Sequence, residues 1–146
     1  MDFFNSQIHN WYSIFKRELP WRNTRNPYCI WLSEIILQQT RIDQGLSYYN
    51  RFIEEFPDIL NLASASEDQV LKLWQGLGYY SRARNLHFTA KYIEKKYQGK
   101  FPDDHKSILL LKGIGDYTAA AIASISFGLE YPAIDGNVFR VLSRYF

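Results

Sequence analysis

The sequence is poor in cysteine, since Cys29 is the only one among 146 residues. A single cysteine excludes an intrachain disulfide and a cysteine-based zinc or iron–sulfur site built from this chain alone. Long apolar runs are also missing, because the stretches 29–37 and 108–111 fall well short of the roughly 20 residues of a membrane span. The first residues lack the basic and apolar regions of a secretory signal, so we expect a cytoplasmic protein that does not engage membranes.

Charge is nearly balanced over the whole chain, with a formal net charge of +2, but it is unevenly distributed. Residues 1–71 have a net charge of −3, residues 72–112 of +6, and residues 113–146 of −1. A basic middle segment suits binding to a polyanion, although a solvated surface helix gives the same count. Charge alone therefore does not identify a partner.

The apolar pattern predicts an all-α protein, because apolar residues recur at helical spacing and no strand-like alternation competes. A first helix is expected to end before Pro20, where proline cannot continue it. Further helices are expected over 30–40, 46–56, 70–74, 83–97, 106–111 and 117–127, with a last one beginning near Asp135.

Capping residues and the end of the chain add to this prediction. Ser66 and Gln69 read as a capping box, Asp103 or Asp104 is placed to cap the helix over 106–111, and Gly128 is expected to end the helix over 117–127. The length fits one domain of ordinary size or a piece of a larger one. The apolar stripe of the last predicted helix continues to Phe146 with no glycine, asparagine or proline to end the helix. We therefore interpret the chain as a fragment.

One acidic residue, Glu34, stands inside the apolar segment 30–37. An ionised carboxylate among such neighbours is costly to desolvate, so it must be paired, protonated or facing a cleft. One interpretation is a glutamate on the solvated face of an amphipathic helix. The other is a carboxyl group with a raised pKa that donates a proton near neutral pH.

Two glycines, Gly113 and Gly115, separate two of the predicted helices. Their spacing permits a tight hairpin whose backbone N–H groups point outward at the N-terminus of the following helix, which is a phosphate site by geometry. A plain helix–helix turn is the alternative, because glycine is common where helices end.

Two further segments each allow two interpretations. Asp135 is either an ordinary helix N-cap or a carboxylate held beside a reacting centre that develops positive charge. In segment 74–84, glycines stand beside Tyr79 and Arg82, which offer a stacking face and a phosphate partner for nucleic acid. Because aromatic residues are plentiful in this sequence, each single tyrosine here is more typical of a core.

Taken together, the motifs resemble those of the helix-hairpin-helix DNA glycosylases, and within them the A/G-specific adenine glycosylases. The matching stretches are LPWR at 19–22, WLSEIILQQT at 31–40, WQGLGYYSRARNL at 74–86, GIGDYTAAAI at 113–122 and DGNVFRVL at 135–142. They follow one another in order over nearly the whole chain, which makes them far more specific than any single motif.

The resemblance implies an enzyme that removes adenine mispaired with 8-oxoguanine or guanine from double-stranded DNA. Glu34 would protonate the leaving base, and Asp135 would stabilise the cationic sugar with Asn137 in support. The implied DNA contacts are Trp21 and Arg22 against the extruded adenine, Gln39 and Tyr79 as wedges in the duplex, Leu37 nearby, and Gly113 and Gly115 on the DNA backbone. Arg82 joins this set as the phosphate partner that segment 74–84 offers.

Tyr117 bears on the type of glycosylase. In bifunctional relatives such as endonuclease III, a lysine at this place after the hairpin attacks the sugar and goes on to nick the strand. A phenol cannot form a Schiff base, so the resemblance implies base removal without strand cleavage.

Three positions depart from the family pattern. Lys112 stands where the hairpin usually has proline, Asp116 where it has a basic residue, and Phe139 where relatives often have lysine. Main-chain donors make the phosphate contact, so the site should survive, but an acid at Asp116 is expected to weaken DNA binding.

The resemblance also implies parts that these residues do not supply. Family members carry a 4Fe–4S cluster ligated by four cysteines, which would lie beyond residue 146, and a domain that senses 8-oxoguanine; no cofactor is expected within 1–146. We predict a second-lobe helix over 1–20, a six-helix domain over 21–128 with the helix-hairpin-helix at 105–127, and the start of the second lobe over 129–146. These residues alone should be weakly active or inactive, and monomeric unless the open face of that lobe makes copies associate.

Two alternatives stay open at this point. The chain could belong to another glycosylase of the same superfamily, acting on thymine or an oxidised pyrimidine. It could also be a non-catalytic helix-hairpin-helix module that only binds DNA.

Overall fold

The computed structural model describes residues 2–146, and over these residues it contains α-helices and no strand. A single 3₁₀ turn, Pro20–Arg22, stands between the first two helices. The helices are α1 Asp2–Phe15, α2 Pro27–Leu37, α3 Ile42–Glu55, α4 Ile59–Ser64, α5 Glu67–Trp74, α6 Ser81–Tyr97, α7 His105–Leu109, α8 Asp116–Phe127 and α9 Gly136–Tyr145. The predicted all-α class is confirmed. No helix in this part of the chain has the length and apolar content that crossing a bilayer requires.

Local caps set several helix ends as predicted. The capping box is present, with the Gln69 N–H donating to Ser66 Oγ at 3.2 Å and the Ser66 N–H donating to Gln69 Oε1 at 2.8 Å. Asp104, rather than Asp103, caps α7 by accepting from the Ser107 N–H at 2.8 Å. Gly128 ends α8 with a φ of 68°.

Several helices begin or end a few residues from the predicted positions, such as α3, which begins at Ile42 rather than at residue 46, and one helix was not predicted. The helix predicted over 30–40 begins at Pro27, because the Asn26 side chain caps it by accepting from the Tyr28 N–H at 2.9 Å, and it ends at Leu37. Helix α4 was not predicted. Asp58 starts it by accepting from the Asn61 N–H at 2.8 Å, directly after the proline that ends the preceding segment.

Helix α2 is the centre of the core. It packs against α3, α6 and α8, and its Trp31, Leu32 and Ile36 are fully buried. Each such side chain contributes about 1.5–3 kcal/mol through removal of apolar surface from water. Because α2 is held on several sides, a side chain projecting from it has a fixed position.

Helices α1 and α9 lie outside this core. Within the described side chains, none of either helix is fully buried. The two helices touch through Phe4 and Tyr145, whose ring centroids are 4.2 Å apart. Large apolar side chains remain exposed on both, including Trp11 and Phe139. The division of the chain into a six-helix domain and part of a second lobe stays a prediction.

Candidate active site

A cavity of about 620 Å³ opens where α2, α8 and the start of α9 face the segment around the 3₁₀ turn. Seven of the residues singled out from the sequence line it together: Trp21, Arg22, Glu34, Leu37, Tyr117, Asp135 and Asn137. Residues more than 100 positions apart in the chain, such as Glu34 and Asp135, thus meet at one concave site, which is where a small-molecule group is most often bound.

Glu34 projects from the central helix α2 into this cavity. Its pKa is raised chiefly because burial disfavours the charged carboxylate, and the negative charge of Asp135 acts in the same direction. A hydrogen bond from the Tyr117 hydroxyl opposes both and lowers the Glu34 pKa. Since the net shift is upward, Glu34 keeps its proton closer to neutral pH than an ordinary glutamate.

Tyr117 stands in the first turn of α8, directly after the hairpin. Burial, followed by the negative charges of Glu34 and Asp135, raises the Tyr117 pKa to about 12. The phenol is therefore neutral under physiological conditions and serves as a hydrogen-bond donor to Glu34.

Asp135 is the N-cap of α9, as one sequence interpretation expected. One carboxylate oxygen accepts from the Val138 N–H at 2.8 Å and the Asn137 N–H at 3.0 Å, and the other accepts from Asn137 Nδ2 at 3.0 Å. The hydrogen bond from the Val138 N–H lowers the Asp135 pKa most, and the hydrogen bonds from Asn137 lower it further. The cap and the charged-group interpretations are therefore compatible, because capping both fixes the carboxylate and keeps it ionised.

Two contributors to this site were not found from the sequence. Arg140 Nη2 donates to Asn137 Oδ1 at 3.0 Å, which orients the amide so that its Nδ2 faces Asp135. The three-residue spacing of Arg140 from Asn137 on a helix is a signal that could have indicated this pair. Tyr12 of α1 lines the cavity, with its ring centroid 5.6 Å from the Arg22 guanidinium carbon.

Trp21 and Arg22 form one wall of the cavity, and each is fixed by a contact with a residue outside the cavity lining. Trp21 makes an edge contact with Tyr49 at a centroid distance of 5.0 Å. Arg22 Nη1 donates to the Arg17 carbonyl at 3.0 Å. An aromatic face and a guanidinium therefore border the space in front of Glu34.

Gln39 and Tyr79 lie outside this cavity but close to one another. They line a second depression, of about 430 Å³, together with Gln38, Ser81 and Arg82. Both side chains are exposed, and both residues have positive φ, 57° for Gln39 and 46° for Tyr79. The structure thus brings the two predicted wedge residues to one place, whereas the Arg82 guanidinium is engaged with main-chain carbonyls of α2.

The hairpin between α7 and α8 forms as the two glycines predict. Gly113 has a φ of 82°, and a Cβ there would lie 2.8 Å from Asn85 Cβ. Both the backbone conformation and the close approach of Asn85 therefore require glycine at this position. Leu111 and Ile114 anchor the turn in the core. Gly115 is the N-cap of α8 and brings no side chain of its own to the first amides of that helix.

No metal site was expected from these residues. Among residues 2–146, the structure contains no group of three or more His, Cys, Asp and Glu side chains that could hold a metal ion. Cys29 is a free, partly buried thiol packed against the core.

Comparison with known proteins gives three results. Residues 32–146 match the profile of the HhH-GPD superfamily of base excision DNA repair proteins. The adenine DNA glycosylase of Buchnera aphidicola subsp. Acyrthosiphon pisum is 46% identical over 144 residues, 98% of this chain and 41% of that protein. The Homo sapiens adenine DNA glycosylase is 42% identical over 150 residues, 97% of this chain and 28% of that protein. The chain therefore spans less than half the length of these relatives.

Solved structures also match. A thermostable thymine-DNA glycosylase superimposes with a TM-score of 0.90 at 30% identity, covering 97% of this chain and 65% of that one. Endonuclease III in a non-covalent DNA complex superimposes with a TM-score of 0.79 at 21% identity, covering 96% of this chain and 66% of that one.

Proposed function

Because the chain belongs to the HhH-GPD superfamily of base excision DNA repair proteins, we propose that it is the catalytic core of a DNA glycosylase that removes mispaired adenine. The predicted helix-hairpin-helix fold is confirmed by the family match and the structural neighbours. The observation that carries the proposal is the cavity in which Glu34, with its raised pKa, meets the ionised Asp135.

The two carboxyl groups suit the chemistry of breaking a base–sugar bond. Glu34 donates its proton to the adenine ring as the C–N bond breaks and the bonding electrons leave with the base. The sugar then develops oxocarbenium character, which the Asp135 carboxylate stabilises. Water adds to the sugar carbon and loses its proton to the Glu34 carboxylate, which restores the acid.

Tyr117 supports base removal without strand cleavage. A neutral phenol beside Glu34 has no amine with which to form a Schiff base to the sugar. Its hydroxyl instead donates to Glu34. The product we propose is therefore an abasic site in an intact strand.

The substrate is proposed from the relatives rather than from the cavity. The curated relatives at 42–48% identity are adenine DNA glycosylases, which favours adenine over thymine as the excised base. Double-stranded DNA containing adenine opposite 8-oxoguanine or guanine is the proposed partner, in the cytoplasm. The hairpin amides and the wedge residues Gln39 and Tyr79 are the proposed DNA contacts.

A 4Fe–4S cluster does not fit the residues of this chain. Such a cluster takes cysteine thiolates, and Cys29 is the single cysteine of the sequence. We propose that any cluster is ligated by residues outside 1–146, and no step of the reaction above passes through it.

The test uses the protein at its full natural length. We expect it to leave alkali-labile abasic sites in duplexes with adenine opposite 8-oxoguanine or guanine, and Glu34→Gln to abolish excision while DNA binding is kept. Glu54→Gln, an exposed acid on α3, is the matched control and should behave as wild type.

Other outcomes contradict the proposal in separate ways. Excision of thymine or an oxidised pyrimidine instead of adenine would assign a different glycosylase. Strand nicking without alkali would indicate a lyase. DNA binding without excision of any base, unchanged by Glu34→Gln, would indicate a module that only binds DNA.

A further inference from the structure

The guanidinium of Arg82 lies where α2 ends, and it donates to main-chain carbonyls. Nη1 donates to the carbonyls of Ile35 at 2.9 Å, Ile36 at 3.3 Å and Gln38, while Nη2 donates to the Leu77 carbonyl at 3.4 Å. The last carbonyls of a helix have no partner within the helix and carry partial negative charge. One planar cation therefore satisfies the C-terminus of α2 and reaches the loop before α6 at the same time.

The two segments joined in this way each present an exposed side chain from a strained backbone. Gln39 follows directly after Gln38, and Tyr79 lies two residues after Leu77; their φ values are 57° and 46°. Positive φ is uncommon for residues other than glycine and persists where surrounding contacts impose it. Tyr79 is nevertheless 68% exposed, so its conformation does not serve burial of its ring.

The loop that carries Tyr79 has further supports. The Tyr48 hydroxyl donates to the Gln75 carbonyl at 2.7 Å, and Trp74 Nε1 donates to the Gly78 carbonyl at 2.9 Å. The Arg82 guanidinium carbon lies 5.1 Å from the Trp74 ring centroid and 5.7 Å from that of Tyr79. Both rings lie within cation–π distance of the guanidinium, which favours its position there.

The turn that carries Gln39 has weaker supports of its own. Thr40 closes it locally, with its N–H donating to the Leu37 carbonyl at 3.2 Å and its hydroxyl to the Gln38 carbonyl at 3.4 Å. Among residues 2–146, the longer-range hydrogen bonds to this turn and to the end of α2 come from Arg82. Arg82 is therefore the side chain whose hydrogen bonds join the turn of Gln39 to the loop of Tyr79.

We propose that Arg82 is a positioning residue that sets the spacing between Gln39 and Tyr79, and that it acts through the main chain rather than by contacting DNA phosphate. The inference rests on the proposed function, in which these two side chains enter the duplex as the target base leaves the stack. Lysine cannot replace arginine here, because a single ammonium lacks the planar fork that reaches both segments.

The first test measures the protein without DNA. In the full-length protein, Arg82→Lys and Arg82→Met should each speed amide hydrogen exchange in segments 38–40 and 77–80 by about tenfold or more, because both turns lose their shared support. Arg84→Lys and Arg84→Met are the matched controls. Arg84 pairs with Glu67 at 3.3 Å on the exposed side of α6, and its variants should leave exchange in both segments unchanged.

The second test measures excision and binding. At saturating protein, both Arg82 variants should lower the single-turnover excision rate by on the order of 100-fold, since small displacements of positioned groups cost that much. The slope of log affinity against log salt should stay at the wild-type value, because no phosphate contact is lost.

Two results would overturn the inference. One is unchanged exchange of both segments in Arg82→Met, or in Arg82→Lys if the methionine variant does not fold. The other combines two observations. In Arg82→Met the slope of log affinity against log salt falls by about one, and Arg82→Lys excises at the wild-type rate. Together these would indicate that Arg82 contacts a DNA phosphate. If the wild-type protein excises no base, the proposed function fails, and the exchange measurement still decides whether Arg82 holds the two turns.

Discussion

Glu34 and Asp135 line one cavity, and their surroundings shift their pKa values in opposite directions. Burial raises the pKa of Glu34, whereas the Val138 N–H and the Asn137 donors lower the pKa of Asp135. Two carboxyl groups whose pKa values are shifted apart can act at a single pH as a proton donor and as an anion. The same pair would be ineffective if both were ionised, because no proton would be available for the leaving base.

The pH dependence of excision should report on Glu34. Excision requires the protonated form, so the rate should fall as pH rises through the raised pKa of Glu34. Tyr117→Phe removes a hydrogen bond that favours the ionised carboxylate, so it should raise that pKa further and move the alkaline limb to higher pH. Single-turnover rates across pH measure this. Tyr92→Phe, on the exposed side of α6, should leave the profile unchanged, and a limb that moves to lower pH in Tyr117→Phe would contradict the assignment.

The two roles of Asp135 can be separated by substitution. Asparagine caps helices about as well as aspartate, so Asp135→Asn should leave the thermal midpoint nearly unchanged. Loss of the negative charge beside the sugar should lower the single-turnover excision rate by about 100-fold or more. Asp58→Asn, the same change at the N-cap of α4, should affect neither quantity. Wild-type excision by Asp135→Asn would show that its carboxylate is only a cap.

At the scale of elements, the hairpin places an acid where the resemblance leads one to expect a base. Asp116 lies in the first turn of α8, where a carboxylate stabilises the helix through its dipole. The same carboxylate opposes a phosphate approaching the outward-facing amides. Lys112 lies on the other side of the turn, with its Nζ 4.7 Å from the Phe88 ring centroid. The hairpin therefore combines one unfavourable and one favourable charge for a polyanion.

Asp116→Asn should separate helix stability from DNA affinity. We expect the folded state to lose about 0.3–1 kcal/mol, because a favourable charge at the helix N-terminus is removed. Affinity for duplex DNA should rise by about two- to fivefold at low salt, the range of an exposed charge pair. Asp68→Asn, in the first turn of α5, should show the loss of stability without the gain in affinity. Equal affinities for the two variants would place Asp116 away from the DNA.

How much of this could be predicted depends on the distance between partners in the sequence. The Ser66 and Gln69 box, the Asp104 cap and the Gly128 stop were predictable, because each involves groups a few residues apart. The end of α2 at Leu37 was not, since the carbonyls there are bound by Arg82, which lies more than 40 residues later in the sequence.

Residues of the candidate site also differ in how far the sequence reveals them. Glu34 could be identified from the sequence because it is the lone acid in an apolar segment. Arg140 was not found, because an arginine on an exposed helix face is common and a three-residue spacing from Asn137 is too frequent in helices to mark the pair by itself. The catalytic and binding roles assigned to these residues stay predictions.

At the scale of the whole molecule, α1 and α9 expose the apolar side chains that a second lobe would cover. Trp11 is 59% exposed and Phe139 67% exposed, and a groove of about 360 Å³ runs between the two helices. Exposed apolar side chains grouped around a groove in this way are typical of a surface that contacts another protein segment.

Residues 1–146 produced alone should therefore associate as concentration rises. We expect a dissociation constant of about 10 µM by sedimentation velocity, as for a small interface, and weakly detectable or no excision. Trp11→Gln and Phe139→Gln should each weaken association by about tenfold. Leu110→Gln, at an exposed apolar residue beside the hairpin, should not. A monomer at every concentration would exclude this surface as a contact between copies.

The contact between Phe4 and Tyr145 also has a consequence for translation. Helix α1 leaves the ribosome before its partner α9, which follows on the order of ten seconds later at ordinary rates of synthesis. The core around α2 is complete by then, because its buried residues all precede Asp135. A nascent chain can thus fold the hairpin and the core around α2 before Asp135 and the first turn of α9 are in place, so the Glu34 and Asp135 carboxyl groups meet only after the rest of the cavity has formed.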